Sequence, residues 1–497
     1  MSDQFLHDPA LEPGTGSRSA PFAITTDSGD HGYRKGLKAR HIKMMAIGTA
    51  IGTGLFLGTG GRLTKAGPAL LLSYAICGIF AYFVVRALGE LILYRPSSGS
   101  FVSYAREFLG EKGAYIAGWM YFLNWTTGGI ADITAAALYA HYWSMLTDTP
   151  QWLLALLALA IVLSINLISV KIFGELEFWF ALLKVVAISA FLVIGVFLLV
   201  KQHEVGGYRP GATTMLGHGG LFPNGVIPVI FVMQGVIFAY SGVELVGITA
   251  GETAQPHSVV PRAIKSIIWR IALFYIGAVL LLVLLMPWQE YSGDQSPFVT
   301  VLTKLGLPAA GDVMNLVVLT AALSSLNSGL YSTGRILRSM AMNGSAPGFV
   351  GRMSRSQVPY AGILLTAAVC VLGVGLNYVV PQQAFEIVLN VSSLGVVSTW
   401  SIIMLCHLAF VRRARAGLVQ RPAFRLPLSP VTQIATIAFL LGILVLMWCE
   451  SEVGRQTVMA VPLIAAALFG GWFCVRRRLR AREHSQGSPD TPGVSAK

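Results

Sequence analysis

The sequence predicts an all-α polytopic membrane protein with twelve spanning helices, two of them discontinuous. Three observations lead there. The 497 residues are 54% hydrophobic and only 12% charged, about half the charged share of a soluble domain. The apolar residues gather into blocks of about 20, the length that crosses a bilayer. Two of those blocks are cut by glycine at mid-span, where a helix in lipid is normally left whole.

In chain order the expected spans cover residues 42–62, 68–94, 113–143, 151–171, 178–200, 225–249, 264–287, 307–333, 360–380, 384–411, 430–449 and 456–476. The fifth and sixth are joined by "KQHEVGGYRPGATTMLGHGG", read as a wet loop. Residues 1–40 and 479–497 are polar tails expected to be disordered and cytoplasmic. The first of them has no apolar core, so no cleavable leader is expected. Between them, residues 41–478 form one membrane domain. The cysteines (Cys77, Cys370, Cys406, Cys449 and Cys474) lie in or beside apolar spans without paired or ligand spacing, and read as buried thiols.

The net charge of +13 is distributed as a topology signal rather than as a nucleic-acid footprint. One side carries Arg34, Lys35, Lys38, Arg40 and Lys43, then Arg95, Arg106 and Lys112, then Arg262 and Lys265. Arg335, Arg338, Arg352 and Arg355 follow, then the arginines of 412–425 and 476–482. The other side has Arg62, Lys65, Lys201, Arg209, Lys304 and Arg455. This asymmetry places both termini in the cytoplasm, which an even number of spans requires.

The first span contains "AIGTAIGTGLFLGTGGRL", six glycines in eighteen residues. Each glycine weakens a helix interior by about 1 kcal/mol relative to alanine. A break at Gly52-Thr53-Gly54 would start a new half-helix with free N–H groups, suited to a carboxylate, and leave free carbonyls near Ala50 and Ile51, suited to an ammonium. Together they match the head group of an amino acid. Glycines also let membrane helices pack closely, and alone they carry no more than that. The sixth span supplies the second signal, "VIFVMQGVIFAYSGVELVGITAGE", with Ser241, Gly242 and Glu244 at mid-span. Gly-interrupted spans at matching places in two halves point to a transporter site. Residues 41–200 and 225–411 then form inverted repeats, with the helices of 430–476 added at the end.

"GYRKGLKARHIKMMAIGTAIGTGLFLGTGGRL", "RALGELILYRPSSGSFVSYAREFLGEKGAYIAGWMYFLNW", "AGETAQPHSVVPRAI" and "LVVLTAALSSLNSGLYSTGRILRSMAMNGSAP" resemble amino acid permeases of the amino acid–polyamine–organocation superfamily. The resemblance runs from about Gly32 to Arg478. It implies a five-plus-five inverted-repeat fold of the leucine-transporter type and import of an L-amino acid by proton symport. L-asparagine is the first candidate cargo, with D-serine, D-alanine, glycine, proline, aromatic amino acids and γ-aminobutyrate as alternatives. It also implies that Thr53 and Gly54 bind the substrate carboxylate and that the carbonyls of Ile51, Phe238 and Ser241 hold the amino group, with Gly52 and Ala239 in the same binding site. Phe238 would gate the site.

Ionisable residues within spans are costly and often functional. Lys184 is too deep to snorkel and stands where the resemblance places a proton-coupling lysine in place of a sodium ion, with Ser324 and Ser325 as neighbours. Glu244 can sense pH or tie its half-helix to surrounding helices. Asp132 falls where relatives contact the substrate side chain, and could accept a hydrogen bond from a carboxamide or be a buried acid elsewhere. Arg86 and Glu90 are four apart on one helix and read as a pair; Glu386 has no assigned role. His141, His257 and His407 read as surface or loop residues.

No cluster of His, Cys or acid has metal-ligand spacing and no P-loop pattern occurs, so no metal, cofactor or ATPase subunit is expected. No catalytic constellation suggests an enzyme. The expected partners are an amino acid, protons and the lipid bilayer, and the expected location is a bacterial inner membrane. An exchanger on the same fold remains open, as does a non-transporting amino acid sensor.

Overall fold

The structure is a computed structural model. It describes residues 40, 41, 44, 48, 51–97, 99–250, 256–306, 308–380, 384–450 and 452–486. The expected N-terminal tail up to residue 39, Lys43 and Ala50 lie outside the described residues.

The described chain is helical throughout, with a single isolated bridge between Val205 and Tyr208. Its elements are α1 (Thr53–Phe56), α2 (Gly58–Ala66), α3 (Leu70–Tyr94), α4 (Ser100–Ala140), α5 (Gln151–Ile168) and α6 (Val170–Lys201). The next are α7 (Val226–Phe231), α8 (Met233–Ala239), α9 (Leu245–Ala250), α10 (Pro256–Arg270) and α11 (Ala278–Leu285). Six helices close the chain: α12 (Pro297–Lys304), α13 (Pro308–Met342), α14 (Tyr360–Val379), α15 (Ala384–Arg415), α16 (Val431–Glu450) and α17 (Glu452–Gln486).

Among the described residues, nine helical stretches are long and apolar enough to cross a membrane, and Val226–Ala239 is a shorter apolar one. The difference from twelve has local causes. The first and sixth expected spans are cut into short pieces, and the first runs into the second through the turn Gly67–Ala69. The third, α4, carries Asn124, Thr126, Thr127 and Asp132. Those polar groups turn inward, where α4 packs along α13 and α15. Large apolar side chains such as Ile79, Val193, Phe197, Leu372 and Leu463 face outward, as a lipid-facing surface requires.

Several boundaries moved. Helix α6 begins at Val170, where the Ser169 hydroxyl accepts the Ile172 N–H at 3.2 Å, so the expected span began too late. Helix α4 starts at Ser100 and kinks at Gly110, whose φ of 81° favours glycine. Helix α17 continues to Gln486, into the tail expected to be disordered. The loop after α6 contains a turn of helix, Ala212–Leu216. Cys77, Cys370 and Cys406 are buried as expected, but Cys449 and Cys474 are exposed on the outward faces of α16 and α17.

Two side-chain assignments are corrected. Arg86 does not pair with Glu90: its guanidinium lies 3.3 Å from the Phe424 ring centre and donates to the Arg425 carbonyl at 2.9 Å. Glu90, fully buried, meets His407 at 2.9 Å and accepts from Arg421 at 2.6 Å and from the Leu426 N–H at 2.8 Å. His407 is therefore a core residue, also bonded to Gln433, and not a surface one. A same-helix pair gains only a few tenths of a kcal/mol, so a buried carboxylate goes to the partners that desolvate with it.

Candidate functional site

Both glycine-marked interruptions exist. At the first, Gly52 is extended (φ −126°, ψ −165°) and α1 starts after it. The Gly52 carbonyl accepts the amides of Leu55 and Phe56, both at 3.2 Å. The amides of Thr53 and Gly54 head this half-helix, where a helix has no internal acceptors. At the second, α8 stops at Ala239 and α9 starts at Leu245. Gly242 between them has φ 95°, open to glycine alone at little strain.

The second break is braced by tyrosines. Tyr275, in a stretch of wide π turns at Ile271–Gly277, donates to the Ala239 carbonyl at 3.0 Å. Tyr240 donates to the Tyr74 carbonyl at 2.9 Å and stacks on Tyr275 with ring centres 4.6 Å apart. Glu244 accepts the Gly242 N–H at 3.1 Å and the Trp400 indole N–H at 3.4 Å. Of its two expected roles, these contacts fit the tie between half-helix and neighbours. The first break is braced by Arg62, 7% exposed, which donates to the Gly54 carbonyl at 2.8 Å.

The two breaks line one small pocket. Seven of the eight expected substrate-binding residues line it: Gly52, Thr53, Gly54, Asp132, Phe238, Ala239 and Ser241. Ile51 does not; its side chain is in the main core. Asp132 accepts a hydrogen bond from the Thr53 hydroxyl at 2.9 Å and is 2% exposed. The Phe238 carbonyl already accepts the Ser241 N–H at 2.9 Å.

Asn124, Trp125, Gly128, Ser325 and Ser392 complete the lining, and sequence reasoning assigned none of them there. Ser325, expected beside Lys184, faces this cavity instead. Ser392 donates to both oxygens of Asn124, the carbonyl and Oδ1, at 3.0 Å each, joining α15 to α4. Polar residues of these types are common where membrane helices meet, so nothing in the sequence separates the lining from ordinary contacts.

A second, larger pocket is lined by Arg62, Lys65 and Glu386 among others. Phe238 lines the first pocket and Leu389 the second, and both belong to one small apolar cluster with Ile130, Ala131 and Val388.

Lys184 is fully buried outside the cavity lining. Its ammonium donates to the Gly48 carbonyl at 2.7 Å and to Ser324 Oγ at 2.9 Å. A Cβ at Gly48 would collide with Ala181, so glycine there brings the backbone before the break against α6. Sequence reasoning missed Glu177, also fully buried, which accepts from Ser324 at 2.6 Å and from Asn327 at 3.1 Å. Among the described residues no group of three His, Cys, Asp or Glu is placed to hold a metal ion.

A family model described as amino acid permease matches residues 41–483. The L-asparagine permease of Streptomyces coelicolor is 71% identical over 470 residues, 95% of this chain and 96% of its own. The L-asparagine permease of Salmonella typhimurium is 57% identical over 450 residues, 90% of each chain. That of Escherichia coli is 56% identical over 456 residues, 92% of this chain and 91% of its own. The names of these relatives are those of carriers, as the absence of a catalytic constellation in the sequence led one to expect of this chain.

Proposed function

Because the chain belongs to the amino acid permease family, we propose that it imports L-asparagine across a bacterial inner membrane, together with a proton, by alternating access. The carrying observation is the pocket where the two broken helices meet, lined by Thr53 and by Asp132, which accepts from the Thr53 hydroxyl at 2.9 Å. The amides that open α1 receive the cargo's carboxylate. The carbonyls of Ile51, Phe238 and Ser241 turn to its ammonium, and Asp132 accepts from the side-chain carboxamide. A carboxamide is a good match for a buried acceptor, because cargo lacking the donor would leave that acceptor unpaired.

In this reading twelve helices form two inverted repeats, residues 41–200 and 225–411, with the helices of 430–476 outside them and both termini in the cytoplasm. The distribution of arginine and lysine along the sequence supports the orientation. Lys184, bonded to the Gly48 carbonyl just before the first break, couples a proton to the position of that segment. A neutral zwitterion moving with one proton carries one charge, worth about 2.3 kcal/mol per 100 mV, while a tenfold gradient needs about 1.4 kcal/mol. One proton per cargo therefore sustains roughly fifty-fold accumulation at about 100 mV.

The test is uptake into proteoliposomes of the purified protein, with a panel of radiolabelled amino acids and an imposed proton gradient. Asparagine should accumulate above the rest, and a protonophore should abolish the accumulation. A different preferred amino acid would overturn the cargo; accumulation indifferent to the protonophore would overturn symport.

A further inference from the structure

Import as described uses Lys184 but not the buried acid two turns away on the same helix. Lys184 donates to Ser324 at 2.9 Å, and Ser324 donates onward to Glu177 Oε1 at 2.6 Å. Asn327 donates to Glu177 Oε2 at 3.1 Å, and Asn166 donates to Asn327 Oδ1 at 2.7 Å. Lys184, Ser324, Asn327 and Glu177 are all 0% exposed. The charge that acts on Glu177 is that of Lys184, which in turn faces Asp132. The side chains that reach Glu177 from α13 are neutral.

A structural ion pair in an apolar interior is best served by direct contact, because separation forfeits attraction that must offset desolvation. Here a hydroxyl stands between cation and anion. A hydroxyl accepts on one side and donates on the other, so it can pass a proton where an amide or a methyl group cannot. Two turns of helix are about 10 Å of axial rise. With α6 running from the cytoplasm outward, as the charge asymmetry requires, Glu177 is the more cytoplasmic of the two.

We propose that Glu177 is the station that takes the transported proton from Lys184, through the Ser324 hydroxyl, on its way to the cytoplasm. The inference rests on the proton-symport reading above. One Nζ–H bond of Lys184 breaks and its proton bonds to Ser324 Oγ. The original Oγ–H bond breaks and that proton bonds to Glu177 Oε1. The ammonium becomes a neutral amine and the carboxylate a neutral acid, so net charge is unchanged and no co-reactant is needed. Rotation of the hydroxyl restores Ser324.

The test uses full-length protein in proteoliposomes with a trapped pH indicator and L-asparagine as cargo. It records protons taken up per cargo, proton-driven accumulation, and counterflow exchange without a gradient. In Glu177→Gln, accumulation should fall from roughly fifty-fold at about 100 mV to near unity, while exchange falls far less. Ser324→Ala keeps both charges and removes only the bridge, and should show the same loss; Ser324→Thr should retain coupling. If folded Glu177→Gln loses exchange along with accumulation, Glu177 is a structural counterion and the relay is overturned. An unchanged proton-to-cargo ratio in Ser324→Ala overturns it as well, and decides the matter should Glu177→Gln not fold. If the unaltered protein takes up cargo without protons, symport itself fails, which is a distinct result.

Discussion

Gly54 and Ala239 meet backbone to backbone. A Cβ on Gly54 would stand 2.6 Å from the Ala239 Cα and 2.9 Å from its nitrogen, closer than real Cβ contacts allow. The two interrupted helices are thus in touch at their breaks, and glycine is what permits it. Gly54→Ala should push them apart at a cost of about 1–3 kcal/mol. Uptake at low cargo concentration should fall about tenfold or more, with a melting temperature lowered by a few degrees. Normal uptake would show that the contact does not shape the site.

Thr53→Val keeps the shape of the side chain and removes the donor to Asp132. A buried acceptor left without its partner costs about 1–3 kcal/mol. Initial-rate measurements should show KM for asparagine raised roughly tenfold, with a smaller change for alanine, which presents no carboxamide. An equal rise for both amino acids would remove Asp132 from the side-chain subsite.

Lys184→Ala should abolish uphill accumulation while cargo exchange persists. The substitution also releases the Gly48 carbonyl, 2.7 Å from the ammonium, so exchange should slow by a few-fold. A mutant that still concentrates cargo against a gradient would show that the lysine does not couple the proton.

Glu90 and His407 join α3 to α15 through a fully buried contact of 2.9 Å. Removal of one partner from a buried hydrogen bond typically costs about 1–3 kcal/mol. His407→Ala should lower the melting temperature in detergent far more than Arg86→Ala, which forfeits one backbone hydrogen bond and a ring contact on an exposed side chain. Equal losses would restore the same-helix pairing of Arg86 and Glu90.

The broken helices were legible because glycine at mid-span is costly enough to need a reason, and Gly54 and Gly242 each have one here. Asp132 and Lys184 were legible because a charge inside an apolar block needs a partner. Glu177 was not: the expected fifth span began one residue after it, so an acid at the heart of a buried network looked like a loop residue. Asn124 and Ser392 escaped for a different reason. An amide or hydroxyl in a membrane helix is cheap enough to occur anywhere, and only the crossing of α4 with α15 brings those two together. The choice of Glu90 between Arg86 and His407 was likewise closed to spacing arguments, since His407 and Arg421 lie more than three hundred residues away.

The apolar cluster of Phe238 and Leu389 has a pharmacological consequence. A molecule with an amino acid head and a bulky tail would fit the larger pocket beside Arg62 and Glu386, yet could not follow the cargo inward past the aromatic ring. In the proposed orientation, such a compound would block the carrier without being carried, acting from the side on which Arg62 and Lys65 lie.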